Sequence, residues 1–193
     1  MTTQRQIKRP HPALTQAGLT LLEMLVAVAV LAIILTTVAP GIQNIIIKNR
    51  ITADLNNLSA VAQRARFTAV DEQTSVTLCP TTNYTACTNN WKNAKMVFVD
   101  ANGNGSRDNS EALIIASDPL NTANAVYGIT GSLVFDEQGA INRAATITLC
   151  PSDNNADYAS ALLLSLYGRI SVAVDSNGDD IKEDLAGDDL ACS

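Results

Sequence analysis

Near its N-terminus the chain reads Gln16-Ala17-Gly18-Leu19-Thr20-Leu21-Leu22-Glu23-Met24-Leu25, and an apolar block continues from there to Ala39. Of the 21 residues from Leu19 to Ala39, 17 are apolar and only Glu23 is charged. A helix of about 20 apolar residues can cross a hydrocarbon core roughly 30 Å thick. The block therefore predicts a membrane-spanning helix over 19–39.

Three interpretations of this block compete. A secretory signal peptide would be cut after Ala39, but the apolar run exceeds the usual length of about 7–15 residues and contains Glu23. A plain membrane anchor would be kept uncut, with the basic residues Arg5, Lys8 and Arg9 holding the N-terminus in the cytoplasm. In the third interpretation the basic leader is removed and the apolar segment is retained.

The third interpretation accounts for the most residues. A short basic leader ending in Gly18, an apolar helix with Glu23 at its fifth position and Pro40 at its twenty-second resemble the N-terminal signal of type IV pilins and type II secretion pseudopilins. The resemblance implies that prepilin peptidase cuts after Gly18 and that the new N-terminus at Leu19 is methylated. The family usually has Phe where this chain has Leu19.

Glu23 has two interpretations. A carboxylate deep in a bilayer costs roughly 2.5–3.5 kcal/mol on insertion scales, so it is rare without a partner. The resemblance implies that Glu23 pairs with the amine of Leu19 on a neighbouring subunit during filament assembly. The alternative is a glutamate that lies at headgroup depth and has no role in assembly.

Helical periodicity continues beyond the apolar block. Pro40 removes a helical hydrogen bond, so we expect a kink or a loosened turn there. An apolar stripe then recurs at steps of three and four residues, while polar residues such as Asp54 and Asn57 lie mostly off it. The stripe comprises Ile51, Leu55, Leu58, Ala62, Ala65 and Ala69. We expect an amphipathic helix over 40–72 that packs on the globular domain. A separate surface helix is the alternative, and it fits the stripe equally well.

From residue 74 the pattern changes to short Val-, Ile- and Thr-rich segments separated by turn residues, which indicates antiparallel strands. The predicted strands are Ser75–Cys79, Lys95–Val99, Ala112–Ser117, Val126–Thr130, Ser132–Asp136, Thr146–Cys150, Ala161–Tyr167 and Arg169–Val174. The predicted fold class is α+β and pilin-like: a long N-terminal helix, transmembrane in its first half, packed on an antiparallel β-rich domain over 73–193.

The four cysteines all lie beyond the predicted membrane span, where disulfides persist. Three pairings are possible. Closeness in the chain favours Cys79 with Cys87, which leaves Cys150 with Cys192. Their spacing is a poor match to a zinc site. We therefore expect two disulfides.

The resemblance narrows in the C-terminal region to the GspH/FimT group of minor pilins and pseudopilins. The residues that carry it are Leu78-Cys79-Pro80, Cys87, Trp91, Met96-Val97-Phe98-Val99-Asp100, Phe135-Asp136-Glu137-Gln138-Gly139, Thr148-Leu149-Cys150 and Gly168-Arg169. The cysteines make the match closer to the type IV pilus branch of the group.

One loop has the spacing of a calcium site. The segment 100–111 matches an EF-hand loop, with glycine at position six and glutamate at position twelve. The candidate ligands are Asp100, Asn102, Asn104, Ser106, Asp108 and Glu111. Because the flanking segments are predicted strands, a hairpin turn without metal is the alternative. A second run, Asp175-Ser176-Asn177-Gly178-Asp179, matches less well.

Nucleic-acid binding is disfavoured but not excluded by the residues. FimT-like relatives bind DNA through a Gly-Arg-x-Arg element, and this chain has Gly168-Arg169-Ile170-Ser171, without the second arginine. Arg169 is therefore a weak DNA-binding candidate, and a structural or surface arginine is the alternative. Removal of the leader would change the net charge from −6 to −9, and seven acids follow in the tail. Phosphate binding requires the opposite charge.

Composition also bears on catalysis. The only histidine, His11, lies in the leader, so the rest of the chain has no imidazole for acid–base chemistry or metal ligation. We expect no enzymatic activity, no catalytic residue and no cofactor other than calcium.

The resemblance implies a structural subunit of a type IV pilus or of a type II secretion pseudopilus. Its implied partners are prepilin peptidase, other pilins or pseudopilins in a filament or tip complex, the inner-membrane assembly platform and membrane lipid. The implied location is the bacterial inner membrane, with one span, a cytoplasmic N-terminus and a periplasmic domain, and the cell surface after assembly. A calcium-binding anchored protein that never polymerises is the alternative of a different class.

Overall fold

The computed structural model describes residues 18–193, without the side chains of 37–40. The predicted leader, 1–18, lies outside the described residues except for Gly18. One long helix, α1, spans Leu21–Asp71. It is followed by β1 (Val76–Thr81), β2 (Ala94–Val99), β3 (Leu113–Ser117), β4 (Asn124–Tyr127), β5 (Leu133–Phe135), β6 (Ala145–Pro151), a 3₁₀ turn (Ala156–Tyr158), β7 (Ser160–Leu164) and β8 (Ile170–Val172).

The described N-terminal unit runs to Ile42 and is helical from Leu21. The apolar side chains described in this unit are exposed, with Leu21 and Leu22 at 83% and 71%. Helix α1 is long and apolar enough in this region to cross a membrane. The helix continues through Pro40 and Gly41 without a break. The kink expected at Pro40 stays a prediction.

The second unit, Gln43–Ser193, contains the rest of α1 and all eight described strands. Its helix buries the predicted stripe: Ile51, Leu55, Leu58, Ala62, Ala65 and Ala69 are each at most 3% exposed. The helix ends at Asp71, close to the predicted limit. One prediction about this face is wrong, because Asp54 is only 8% exposed and lies in the buried face rather than off it.

The strands form two antiparallel sheets of four, in the orders β3-β2-β1-β5 and β4-β6-β7-β8. Each of the eight predicted strand segments contains or overlaps an observed strand, with shifted ends. Strand β4 begins at Asn124 rather than Val126, because Asn124 pairs with Pro151 of β6. The α+β fold class, with a long N-terminal helix and antiparallel sheets, is therefore confirmed.

The main core lies where the helix meets both sheets. Ile51 and Leu58 of α1 share a buried cluster with Leu78 and Phe135 of the first sheet and with Leu162 of the second. Strands alternate their side chains between two faces, and the other face of the first sheet buries Met96 and Phe98 against Cys79. The helix thus contributes the layer that joins the two sheets.

Two disulfides brace this unit. Cys79 is bonded to Cys87, with their Cα atoms 5.6 Å apart, and Cys150 is bonded to Cys192, with their Cα atoms 5.9 Å apart. This is the pairing that closeness in the chain favoured. The second bond attaches the C-terminal tail to β6, and Leu190 lies buried beside it.

Candidate functional site

The described N-terminus of α1 is built around Thr20. The Oγ1 of Thr20 accepts a hydrogen bond from the amide of Glu23 at 3.2 Å, and its carbonyl accepts one from the amide of Met24. This is the N-cap arrangement that the Thr-x-x-Glu spacing favours. Among residues 18–193 no group donates a hydrogen bond to the Glu23 carboxylate or forms an ion pair with it. The carboxylate is therefore available to a partner from outside.

One face of this helical segment forms a shallow apolar surface. Its residues recur at steps of three and four, which places them side by side on a helix. They are Leu21, Met24, Leu25, Val28, Ala29 and Ala32. A surface of this kind is stable only against lipid or another apolar helix, because exposed apolar area costs about 25 cal/mol per Å² in water.

The loop that connects β2 to β3 carries the predicted calcium ligands. Asp100 is 1% exposed, and its carboxylate accepts hydrogen bonds from the amides of Asn104 and Gly105, each at 3.0 Å. The hydroxyl of Thr77 in β1 donates to the same carboxylate at 3.0 Å. The first predicted ligand therefore also attaches the loop to the sheet.

The remaining predicted ligands divide into two groups. Asn102 and Asn104 donate from their Nδ2 atoms to Oδ2 of Asp108, at 2.8 and 3.1 Å. Glu111 is 7% exposed, and its Oε2 accepts from the amide of Asp108 at 2.9 Å. Within residues 18–193 no three His, Cys, Asp or Glu side chains are arranged to hold a metal ion. Ser106 lies in this loop, and its amide donates to Oδ1 of Asn104.

The acidic tail contains a second loop. The carboxylate of Asp175 accepts from the amide of Gly178 at 2.7 Å, and this bond lowers the pKa of Asp175. The pKa of Asp189 is raised, mainly by repulsion from Asp179 and to a smaller extent by burial and by the charge of Glu183. The tail is thus a region of mutually repelling carboxylates, which disfavours an incoming phosphate.

Arg169 lies in the turn that precedes β8. Its amide donates to Oγ of Ser165, and its carbonyl accepts from the amide of Ser165. The side chain is exposed and has no hydrogen-bond or ion-pair partner among residues 18–193. The turn is fixed by its main chain, and the guanidinium is accessible to solvent.

Sequence reasoning missed a buried polar network between α1 and the loop before β4. Arg50 donates from Nε to Oδ1 of Asn124 at 2.7 Å. Asn124 in turn donates from Nδ2 to Oδ2 of Asp54 at 2.7 Å, and the amide of Asn121 donates to the same oxygen at 3.0 Å. These bonds explain why Asp54 can lie in the buried face of the helix.

Lys95 was missed as well. It is 0% exposed in β2, and its Nζ has no hydrogen-bond partner within the described part of the chain. Burial lowers the pKa of Lys95 from 10.5 to about 8, and the charge of Asp54 opposes that fall. A lysine inside the otherwise apolar strand Ala94–Val99 was the available signal, although strand alternation alone would place it equally well on an exposed face.

Both the N-terminal segment and the β-rich region of the chain match known protein families. The family model described as type II transport protein GspH matches residues 54–168, and the prokaryotic N-terminal methylation motif matches residues 14–39. No curated protein matches the chain significantly.

Two crystal structures of the type IV minor pilin FimU from Pseudomonas aeruginosa strain PAO1 have a similar fold. They have TM-scores of 0.53 and 0.50, identities of 21% and 19%, and alignments that cover 65% and 64% of this chain and 90% and 92% of the FimU chains. At these identities the likeness shows the fold. The N-terminal motif implies processing by prepilin peptidase and membrane anchoring. Because the GspH model spans more than half of the 193 residues, the chain belongs to the GspH family of pilin-like proteins.

Proposed function

We propose that the chain is a minor pilin or pseudopilin subunit that is cut after Gly18 and assembled into a filament through α1. The observation that carries the proposal is that α1 has both an exposed apolar face and a carboxylate, that of Glu23, with no partner among the described residues. Before assembly, membrane lipid covers that face. In the filament, helices of neighbouring subunits replace the lipid.

The position of Glu23 supports a role in assembly. After cleavage the helix starts with the α-amino group of Leu19, four residues before Glu23. A carboxylate in an apolar layer is stabilised by an opposite charge at short range. The amine of a neighbouring subunit supplies that charge, so the pair selects the axial position at which a new subunit docks. Pro40 acts in the same helix by loosening one turn during packing.

In this proposal the role is structural. The subunit spans the inner membrane once, with its globular unit in the periplasm, until an assembly platform extracts it into a pilus or pseudopilus. Its partners are prepilin peptidase, the platform and other pilins or pseudopilins. A type IV pilus and a type II secretion pseudopilus both use such a subunit.

The first test replaces Glu23 with alanine, with Thr20→Ser as a matched control that retains the N-cap hydroxyl. We expect Glu23→Ala to be processed and to reach the membrane but to be lost from purified filaments, whereas the control is incorporated. Incorporation of Glu23→Ala at the wild-type level would refute the assembly role. Mass spectrometry of the mature N-terminus tests cleavage after Gly18 and methylation of Leu19.

The second test distinguishes the two machines. A deletion strain is compared with its parent for surface piliation, for transformation and for secretion of exported proteins. Loss of piliation or of transformation assigns the subunit to a type IV pilus, and loss of secretion alone assigns it to a pseudopilus. A strain with all three processes intact would count against a filament role.

A further inference from the structure

We propose that the loop between β2 and β3 binds one calcium ion, with Asp100, Asp108 and Glu111 as its charged ligands. The side-chain amide oxygens of Asn102 and Asn104 and a main-chain carbonyl oxygen complete the site. This proposal does not depend on filament assembly.

The strongest observation concerns Glu111. Its side chain is more than nine-tenths buried, and its Oε2 accepts from the amide of Asp108 within the loop. Its Oε1 is also buried but has no hydrogen-bond donor among the described residues. Buried carboxylate oxygens are nearly always bonded to a donor or a cation. The orphaned atom therefore marks the position of a missing partner.

The two acidic loops of the protein differ in how their buried glutamate is hydrogen-bonded. In the tail loop, both oxygens of Glu183 accept hydrogen bonds from the amides of Ser176 and Asn177. That loop satisfies its buried glutamate internally. The loop from Asp100 to Glu111 leaves one oxygen without a donor, so the two loops are not equivalent hairpin turns.

The charges of the loop favour a cation, rather than a neutral molecule, as the missing partner of Glu111. Asp100 and Glu111 are both buried, and neither forms an ion pair with a lysine or arginine among residues 18–193. Arg107, in the same loop, donates from Nη1 to the carbonyl of Tyr84 at 3.1 Å, and its buried Nε has no hydrogen-bond partner among the described residues. Two buried carboxylates without a positive partner are stabilised by a bound cation.

The ligand set selects calcium. Oxygen-bearing side chains stand at positions one, three, five, nine and twelve of the loop, with Gly105 at position six in the left-handed conformation. Calcium accepts six to eight oxygen ligands in a flexible arrangement, whereas magnesium requires a near-ideal octahedron. All five side chains offer oxygen, so the site suits the larger ion.

The three proposed carboxylate ligands are not grouped as a metal site in the structure, so the loop must rearrange to bind the ion. Asn102 and Asn104 already converge on Oδ2 of Asp108 through their amide nitrogens. For the same three side chains to hold a calcium ion through oxygen, both amide groups must turn over. This breaks those two hydrogen bonds, and also the bonds that Oδ1 of Asn102 and Oδ1 of Asn104 accept from the amides of Asn104 and Ser106. Asp100 anchors the loop to β1 through Thr77. Bound calcium therefore also stabilises the connection between β2 and β3.

Calorimetric titration of the full chain in detergent, with both disulfides intact and metal removed beforehand, tests the proposal. The probe is calcium chloride, with magnesium chloride in parallel. We expect one calcium ion per chain and a weakening of about tenfold or more in Glu111→Gln and in Asp108→Asn. Asp108 is exposed, so its variant folds even if Glu111→Gln does not. Asp175→Asn, in the tail loop, is the matched control and keeps the wild-type affinity.

Three results would overturn the calcium site. The first is no binding up to millimolar calcium, and the second is equal affinity for magnesium. The third is a calcium affinity that Asp175→Asn lowers while Glu111→Gln and Asp108→Asn leave it unchanged, because binding would then belong to the tail.

Discussion

The main chain of Gly168 packs directly against the carbonyl oxygen of Gly139, and Arg66 of α1 donates a hydrogen bond from Nε to that same oxygen at 3.0 Å. A β-carbon on Gly168 would overlap the oxygen and would lie 2.7 Å from Arg66 Nε. Both glycines have positive φ, +71° at Gly168 and +76° at Gly139. One point of contact thus holds the helix, the turn after β5 and the turn before β8.

This contact predicts that Gly168→Ala lowers the free energy of unfolding by about 2–4 kcal/mol. The left-handed backbone contributes about 1 kcal/mol of this loss and the overlap with main-chain atoms contributes the rest. The matched control is Gly178→Ala, because Gly178 has φ +86° but open space around its α-carbon. Denaturant unfolding of both variants measures the difference. Equal losses in the two would show that the close contact contributes nothing.

Patterns local in the chain predicted much of this fold. The helical stripe and the strands follow from residue spacing, because a helix repeats every 3.6 residues and a strand every two. The contact of Arg66 with Gly139 was not predictable, since 73 residues separate the partners. The same holds for Asp54 and Asn124, which meet across 70 residues. For the loop from Asp100 to Glu111, spacing predicted candidate ligands, which stay a prediction, but not the orphaned oxygen of Glu111.

Lys95 predicts a particular dependence of stability on pH. Its pKa is about 8 in the folded chain and near 10.5 when unfolded. Between these values the unfolded chain binds more protons, so the free energy of unfolding rises as the pH increases from about 8 to 10.5. Below pH 8 the charged side chain destabilises the fold by up to about 3 kcal/mol.

We therefore expect Lys95→Met to stabilise the protein at pH 7 by about 1–3 kcal/mol and to remove the rise above pH 8. Unfolding in denaturant at a series of pH values measures both effects. Lys92→Met, which removes a half-buried lysine three residues away, is the control. A rise of the same size in Lys95→Met and in the wild type would assign the effect to other groups.

The two disulfides are predicted to differ in their contribution to stability. Cys79 and Cys87 are 8 residues apart, whereas Cys150 and Cys192 are 42 apart. In the chain-entropy model the shorter loop gives about 2.5 kcal/mol and the longer one about 4 kcal/mol. Replacing each pair with alanines and measuring unfolding tests this order. A larger loss from the 79–87 pair would show that native contacts, rather than loop entropy, dominate.

The small residues of the helix stripe predict a strict size limit at the interface between helix and sheets. Ala65 is 0% exposed in the core, whereas Ala53 lies exposed on the same helix. Leucine and alanine have similar helix propensities, so Ala53→Leu should change the free energy of unfolding by only a few tenths of a kcal/mol. Ala65→Leu must displace packed neighbours and should destabilise the protein by about 1–3 kcal/mol. Thermal unfolding of the two variants compares them directly. An unchanged stability of Ala65→Leu would mean that the helix can move away from the sheets, and that close approach is not what the alanines provide.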